Sequence, residues 1–198
     1  MKTYNPPIAG TLSLKQLEIG DIIAIHKDSG FLPSKIQFFM KLWSRIHYGV
    51  KLPIYYNHTF MVIDPYKLDI AEAIKEGFVV HNIWKEYSPE DLRNMIVFRL
   101  KEPLTSVEKN KILKKRQEMA DRNIEYEILN FLWWMPYIIF DGRVYLGPTG
   151  SKEGKREFCF EASITLLNEA RKVFKSPQRT NSVDMQMAKF FNQYYLVY

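Results

Sequence analysis

The sequence contains a single cysteine, Cys159, among its 198 residues. One cysteine cannot form a disulfide within the chain, which excludes the small secreted folds that depend on a disulfide framework. It is also too few for the cysteine clusters that hold structural zinc. Two roles remain open for Cys159: thiol chemistry, or burial as a small apolar side chain.

Long apolar runs are also missing. The longest, residues 128–140, is interrupted by Asn130 and Pro136 and is shorter than the ~20 residues a membrane-spanning helix needs. The first residues, Met-Lys-Thr-Tyr-Asn-Pro-Pro, lack the apolar core of a secretory signal. We therefore expect a soluble, cytoplasmic protein. The segment Leu132-Trp133-Trp134-Met135 still leaves peripheral contact with a membrane open.

Charge is not concentrated in any one part of the chain. Charged residues make up 25% of the sequence, hydrophobic residues 46%, and the formal net charge is +6. This composition is that of an ordinary globular protein, and we expect one domain over residues 1–198 with an N-terminal arm at 1–16. The most basic stretch, residues 109–116, has the spacing of a solvated helix face. Without a recognition motif, nucleic-acid binding is not expected.

The hydrophobic pattern predicts an α+β fold with a strand-rich first half and a helical second half. A Gly20-Asp21 turn opens the first predicted strand, and residues 35–48 form an amphipathic helix. Strands are predicted over 17–26, 58–63, 68–74, 77–83 and 95–100, with the middle three forming an antiparallel meander. Helices are predicted over 106–122, 125–139, 157–172 and 183–191, with a loop rich in glycine and proline at 142–154.

Cys159 lies at the predicted start of the third of these helices, after the basic residues Lys152, Lys155 and Arg156. Unpaired amides at a helix start carry partial positive charge, which stabilises a thiolate and can also bind an oxyanion. On its own, Cys159 is better explained as a small apolar residue within an apolar helix. A catalytic role therefore depends on finding partners for its thiol.

His58 and Glu72 are the predicted partners. If Ile63 and Lys67 close a three-residue turn, the antiparallel register places Glu72 directly opposite His58. A slip of two residues would leave both on the same face, because side chains alternate with a period of two. The Glu72 carboxylate could then accept a proton from the His58 imidazole and orient it.

The other histidines lack such a setting. His26 ends a strand, His47 lies late in a helix, and His81 lies in a partly polar strand. None of them has metal-ligand spacing with Cys159. We therefore expect neither a metal nor a cofactor.

Five short motifs follow one another along the chain: Gly20-Asp21-Ile22-Ile23, Asn57-His58-Thr59-Phe60-Met61-Val62-Ile63, Ala71-Glu72-Ala73, Phe158-Cys159-Phe160-Glu161 and Ser182-Val183-Asp184-Met185. Their order resembles that of the permuted NlpC/P60 cysteine peptidases, in particular the Yiix/YebB-like branch, over roughly residues 17–190. In that family the histidine strand and the acidic residue precede the cysteine helix. The resemblance implies a circularly permuted papain-like fold, in which an antiparallel sheet or barrel is followed by a helical half carrying the cysteine.

The resemblance also implies catalytic roles. Cys159 would attack a carbonyl, His58 would take and return the proton, and Glu72 would orient His58, while the Cys159 amide helps to hold the oxyanion. The chain departs from the family in having Phe160 where a small serine is common, and His-Thr-Phe in place of a His-Val-Gly type of strand. Both departures bear on the shape of the pocket.

The expected function is a cysteine hydrolase that cleaves an amide, ester or thioester through an acyl-enzyme. The substrate would be a small-molecule, peptide-like or lipid acyl compound, and neither its identity nor the oligomeric state follows from the sequence. One alternative is a lipid acyltransferase or phospholipase of related permuted fold. Another is a catalytically silent module that binds a peptide or a lipid, with Cys159 as a core residue.

Overall fold

The computed structural model describes residues 1–27, 31–122, 125–126, 156–157 and 159–198, which form an α+β fold. Its strands are β1 (Lys2–Thr3), β2 (Ile8–Ser13), β3 (Ile22–Ile25), β4 (Val50–Lys51), β5 (His58–Asp64), β6 (Asp69–Ile74), β7 (Gly77–Asn82), β8 (Met95–Leu100), β9 (Glu125–Tyr126), β10 (Arg156–Glu157) and β11 (Phe191–Val197). Its α-helices are α1 (Phe31–His47), α2 (Ser106–Asp121), α3 (Cys159–Ala170) and α4 (Ser182–Met187). Short 3₁₀ turns lie at Leu14–Gln16, Ile83–Lys85, Asp91–Asn94 and Pro177–Arg179.

Seven strands form one main sheet in the order β2-β11-β8-β3-β5-β6-β7. Neighbouring strands are antiparallel, except that β2 and β11 are parallel. All four residues of the central strand, β3, are buried. A strand covered on both faces needs a continuous apolar run rather than alternation, and the Ile-Ile-Ala-Ile sequence of β3 is such a run.

Each face of the sheet carries its own core. Because successive strand residues point to opposite faces, Ile22 and Ile23 enter different cores. The helix-side core combines strand residues with buried side chains of the helices, including Trp43, Ile112 and Leu167. The opposite core is drawn from strands and the short segments between them: Leu12, Leu14, Leu17, Ile23, Ile25, Phe60, Val62, Ile70, Ile83, Tyr87, Leu92, Met95, Val97 and Leu196.

The Gly20-Asp21 turn leads the chain into β3, as predicted. Gly20 has a φ of 96°, a backbone conformation that favours glycine. A Cβ there would also require the end of the Leu104 side chain to move. Asp21 is 2% exposed, and Arg99 on β8 donates two hydrogen bonds to its carboxylate, of 2.8 and 2.6 Å. This ion pair ties the start of β3 to the neighbouring strand.

The predicted meander is present as β5, β6 and β7, but the predicted register between β5 and β6 is wrong by two residues. Met61 pairs with Ala71 and Val62 with Ile70, which brings Glu72 level with Phe60 rather than with His58. The turn closed by Asp64 and Asp69 is longer than expected, and a separate bulge between Val62 and Asp64 shifts the pairing again by one residue. Glu72 nevertheless lies on the same face of the sheet as His58.

The second half of the chain was predicted to be helical, and this is correct for α2, α3 and α4 but wrong for its end. The predicted helix over 183–191 stops at Met187, and the chain then forms β11, which lies between β2 and β8. The predicted N-terminal arm also contributes β2 to the sheet, beside β11. Both strands depend on pairing with distant segments, which local patterns do not report.

The predicted helix over 125–139 is wrong at its start, because Glu125–Tyr126 forms β9 and pairs in parallel with β10. The rest of that segment, the predicted loop at 142–154 and Phe158 lie outside the described residues. Within the described part of the chain, no helix is long and apolar enough to cross a membrane.

Candidate active site

The helix predicted over 157–172 begins later than expected, at Cys159, because Glu157 belongs to β10. This helix, α3, packs on β5 and β6 through the helix-side core. The Cys159 side chain is 1% exposed. One turn further along, the buried Ser163 hydroxyl donates a 3.3 Å hydrogen bond to Thr59 Oγ1, the residue that follows His58. The start of the cysteine helix is therefore attached to the start of the histidine strand.

His58 is the first residue of β5, and the residue before it sets its position. The buried Asn57 side chain donates a 2.7 Å hydrogen bond to the Lys27 carbonyl and accepts one of 3.0 Å from the Lys27 amide. The same neighbouring strand also pairs with His58 itself, because Ile25 lies opposite His58 in the register of β3 and β5. The backbone at His58 is thus held against the end of β3.

Glu72 lies in the middle of β6, and its side chain is 0% exposed. Its Oε2 accepts hydrogen bonds from His58 Nε2 at 2.5 Å and from the Tyr87 hydroxyl at 2.9 Å, while Oε1 accepts one from His81 Nε2 at 2.7 Å. Burial acts to raise the pKa of Glu72, but the hydrogen bonds from His58 and His81 outweigh it and hold that pKa well below its usual range. Glu72 is therefore a carboxylate that accepts three hydrogen bonds.

The Cys159 side chain lies close enough to the His58 ring to raise the pKa of His58. Because Nε2 of His58 is bonded to Glu72, its Nδ1 is the ring nitrogen left for the sulfur. Burial acts to lower the pKa of His58, but the charge and hydrogen bond of Cys159, followed by those of Glu72, raise it to about 10. The surroundings thus favour an imidazolium at His58, facing the Glu72 carboxylate.

The structure brings together all three residues singled out in the sequence: Cys159, His58 and Glu72. It adds two that were missed, His81 and Tyr87. A signal for His81 existed, because the two-residue turn between β6 and β7 sets Glu72 opposite Val79, with His81 one step further along the same face. Tyr87 lies beyond β7, and no strand pattern points to it.

Tyr87 supports the carboxylate from the opposite core. Its ring stacks on Phe60 with centroids 4.8 Å apart. Burial, followed by the charge of Glu72, raises the pKa of Tyr87 above its usual range. The hydroxyl therefore keeps its proton and donates a hydrogen bond to Glu72. The Lys27 ammonium lies 4.9 Å from the centroid of the same ring.

The two remaining histidines lie elsewhere in the structure. His26 Nδ1 is 2.8 Å from the Tyr55 carbonyl, and His47 stacks on Trp43 with ring centroids 4.3 Å apart. Among the described residues, no group of three or more histidine, cysteine, aspartate or glutamate side chains is placed to hold a metal ion. At Cys159, the neighbouring His58 imidazole and the Glu72 carboxylate that orients it are the groups that can assist thiol chemistry.

Comparisons with known proteins add little to this geometry. No protein-family model matches the chain, and no curated protein matches it. Among solved structures, the chain is similar to one described as the metalloprotein yiiX of Escherichia coli O157:H7, DUF1105, at 13% sequence identity and a TM-score of 0.45. The match covers 90% of this chain and 88% of that one. A likeness of this degree carries no weight for the function of the chain.

Proposed function

We propose that this protein is a cysteine hydrolase that forms an acyl-enzyme on Cys159, with His58 as its acid and base and Glu72 as the group that orients His58. One observation carries the proposal: the His58 ring lies between the Cys159 side chain, which raises the pKa of His58, and a buried carboxylate to which its Nε2 is hydrogen-bonded. A cysteine that served only in packing would need neither contact.

The proposed reaction begins with attack of the Cys159 thiolate on the carbonyl carbon of an amide, ester or thioester. The carbonyl electrons move to oxygen, and the backbone amide at the start of α3 stabilises the resulting oxyanion. The His58 imidazolium gives its proton to the leaving group as the tetrahedral intermediate collapses to an acyl-enzyme. Water, deprotonated by His58, then attacks the acyl carbon and releases the acid and the free thiolate.

Glu72 has a positional role in this scheme. Its Oε2 accepts a hydrogen bond from Nε2 of His58. This bond directs Nδ1 towards the sulfur and stabilises the imidazolium. Because Tyr87 and His81 also donate to Glu72, the carboxylate cannot rotate without breaking three hydrogen bonds. The His58 ring is thereby held in one tautomer and one orientation.

We also propose that the α+β fold is a circularly permuted papain-like fold of the NlpC/P60 type. The support is the chain order of the site, in which the histidine strand β5 and the glutamate strand β6 come before the cysteine helix α3. Phe160, which departs from the family pattern, is buried in the helix-side core. Its bulk is accommodated there and does not conflict with the proposal.

The proposal is tested by acylating the protein with p-nitrophenyl acetate and locating the acyl group by mass spectrometry. A burst of p-nitrophenol and an acetyl group on Cys159 are expected from the wild-type protein. His58→Ala should reduce the rate of acylation by about 10²-fold or more, because no base then shares the thiol proton. His47→Ala, at an exposed histidine outside the site, is the matched control and should acylate at the wild-type rate.

Circular dichroism of each variant establishes that it is folded. The proposal fails if Cys159 of the folded wild-type protein acylates no faster than a model thiol. It also fails if the folded His58→Ala variant reacts as fast as the wild type, because His58 would then contribute nothing to the thiol.

A further inference from the structure

Both ring nitrogens of His81 face oxygen acceptors. Nε2 lies 2.7 Å from Glu72 Oε1, and Nδ1 lies 2.9 Å from the backbone carbonyl of Asn82. A carboxylate and a carbonyl can only accept hydrogen bonds, so each ring nitrogen must carry a proton for both contacts to be hydrogen bonds. A neutral imidazole has one proton and can satisfy only one of them.

We propose that His81 is a permanently charged imidazolium at neutral pH, and that its charge lowers the pH at which Cys159 and His58 form their thiolate–imidazolium pair. His81 is a positioning residue in this scheme, because it acts through Glu72 and does not contact Cys159 or the substrate. The second part of the proposal rests on the proposed function, whereas the charge of His81 stands apart from it.

The charge balance of the site explains why a second cation is needed. A thiolate on Cys159 and a proton on His58 cancel, which leaves the buried carboxylate of Glu72 as an uncompensated negative charge. An imidazolium at His81 makes the set of four groups neutral. Buried charges are tolerated only when they are paired, so neutralising Glu72 removes an electrostatic penalty on forming the thiolate nearby.

The surroundings of His81 favour its charged form. Its side chain is 7% exposed. The hydrogen bond to Glu72 raises the pKa of His81, and this outweighs the opposing effect of burial. The Asn82 carbonyl and the charges of Glu72 and Glu86 act in the same direction. Among the described residues, Glu72 is itself faced by the His58 ring and by the Tyr87 hydroxyl, which keeps its proton.

The charge of His81 can be read directly by nitrogen NMR of the histidine rings. Both ring ¹⁵N nuclei of an imidazolium resonate close together, whereas the two nitrogens of a neutral ring are widely separated. His81 is assigned as the signal that disappears in His81→Gln. We expect the imidazolium pattern at pH 7.5, well above the usual pKa of histidine of about 6.5. A neutral pattern at that pH overturns the proposal.

The effect on the thiol is read from the pH profile of Cys159 alkylation by iodoacetamide. His81→Gln keeps an amide donor within reach of Glu72 Oε1 but removes the positive charge. The acid limb of the profile should move to higher pH by about 0.5 to 1 unit, because a cation near the thiolate has been lost. At a pH within the acid limb, His81→Gln should be alkylated about three- to tenfold more slowly than the wild type. A role limited to packing would lower stability without moving the limb.

His47→Gln is the control and should leave the acid limb in place. An unmoved limb in folded His81→Gln overturns the coupling between His81 and the thiol. The failure of the proposed function would look different, because wild-type Cys159 would then react no faster than a model thiol at any pH. In that case the NMR measurement alone decides whether His81 is charged.

Discussion

The Asn57 side chain makes two hydrogen bonds with the backbone of Lys27: it accepts one from the amide at 3.0 Å and donates one to the carbonyl at 2.7 Å. Lys27 follows the end of β3, and Asn57 precedes the first residue of β5, so the two bonds join the strand ends beside the site. Gln37 on α1 also donates to the Lys27 carbonyl, at 3.1 Å. The position of His58 is therefore set by a connection between three elements.

Asn57→Ala should weaken both the fold and the site. The change removes the partner of the Lys27 amide and leaves the Lys27 carbonyl with the Gln37 hydrogen bond alone. The expected cost is about 1–3 kcal/mol in the free energy of unfolding. Alkylation of Cys159 should slow by several-fold, because His58 is the next residue. Urea unfolding and iodoacetamide labelling measure the two effects. Asn110→Ala, at an exposed position on α2, is the control. Wild-type labelling by a destabilised Asn57→Ala would contradict a role for Asn57 in placing His58.

Glu72→Gln should reduce the reactivity of Cys159 at neutral pH. The amide preserves the shape of the side chain but removes the charge, and one of its two ends can no longer accept the hydrogen bonds made to Glu72. Because the charge and hydrogen bond of Glu72 contribute to the raised pKa of His58, that pKa should fall. We expect alkylation at pH 7 to slow by about tenfold, which corresponds to one pKa unit. Glu76→Gln, at the exposed turn after β6, should label like the wild type.

Cys159→Ala should lower the pKa of His58. Among the contacts that raise this pKa to about 10, the charge and hydrogen bond of Cys159 come first, and burial opposes them. Removing the sulfur leaves only Glu72 to favour the imidazolium, so the pKa of the His58 ring should fall by at least one unit. NMR titration of the His58 ring in both proteins measures the shift. Identical titration curves would show that no ion pair connects Cys159 with His58.

The pairing of His58 with Glu72 could be predicted from the sequence although the exact register could not. A side-chain period of two keeps both residues on one face whether the strands pair as predicted or two residues out of step, as they do. The prediction thus depended on parity. The longer turn closed by Asp64 and Asp69 shifts the pairing by an odd number of residues, and the bulge near Val62 shifts it back by one, so the net shift is even. The helix start at Cys159 was also visible locally, as a change from a polar loop to an apolar run.

The rest of the structure depends on contacts between segments far apart in sequence. β2 and β11 are the two ends of the chain, and they pair with each other in parallel, which no short-range pattern reports. The polar residues in the strand of His81 argue by sequence pattern against a place in the site, yet that polarity belongs to the site. The register of the β6–β7 hairpin relates His81 to Glu72 and follows from a two-residue turn. Tyr87 reaches Glu72 from outside the strands altogether.

Arg99→Ala should strongly destabilise the protein through Asp21. The buried Asp21 carboxylate would lose both hydrogen bonds of the guanidinium, and an unpaired buried charge costs about 3–5 kcal/mol. Burial already raises the pKa of Asp21, against the lowering effect of Arg99, and the variant should raise it further. An aspartate whose pKa is raised in the folded state binds its proton there more tightly than in the unfolded chain, so folding loses stability as the pH rises through that range.

The cost of Arg99→Ala should therefore be largest at pH 7 and should shrink towards pH 4, where Asp21 takes up a proton and no longer needs a cation. Urea unfolding of the variant and the wild type at several pH values measures this difference. Arg45→Ala, at an exposed position on α1, should cost little at any pH. A cost for Arg99→Ala that is the same at pH 7 and pH 4 would mean that lost packing of the arginine side chain, rather than the charge of Asp21, accounts for the destabilisation.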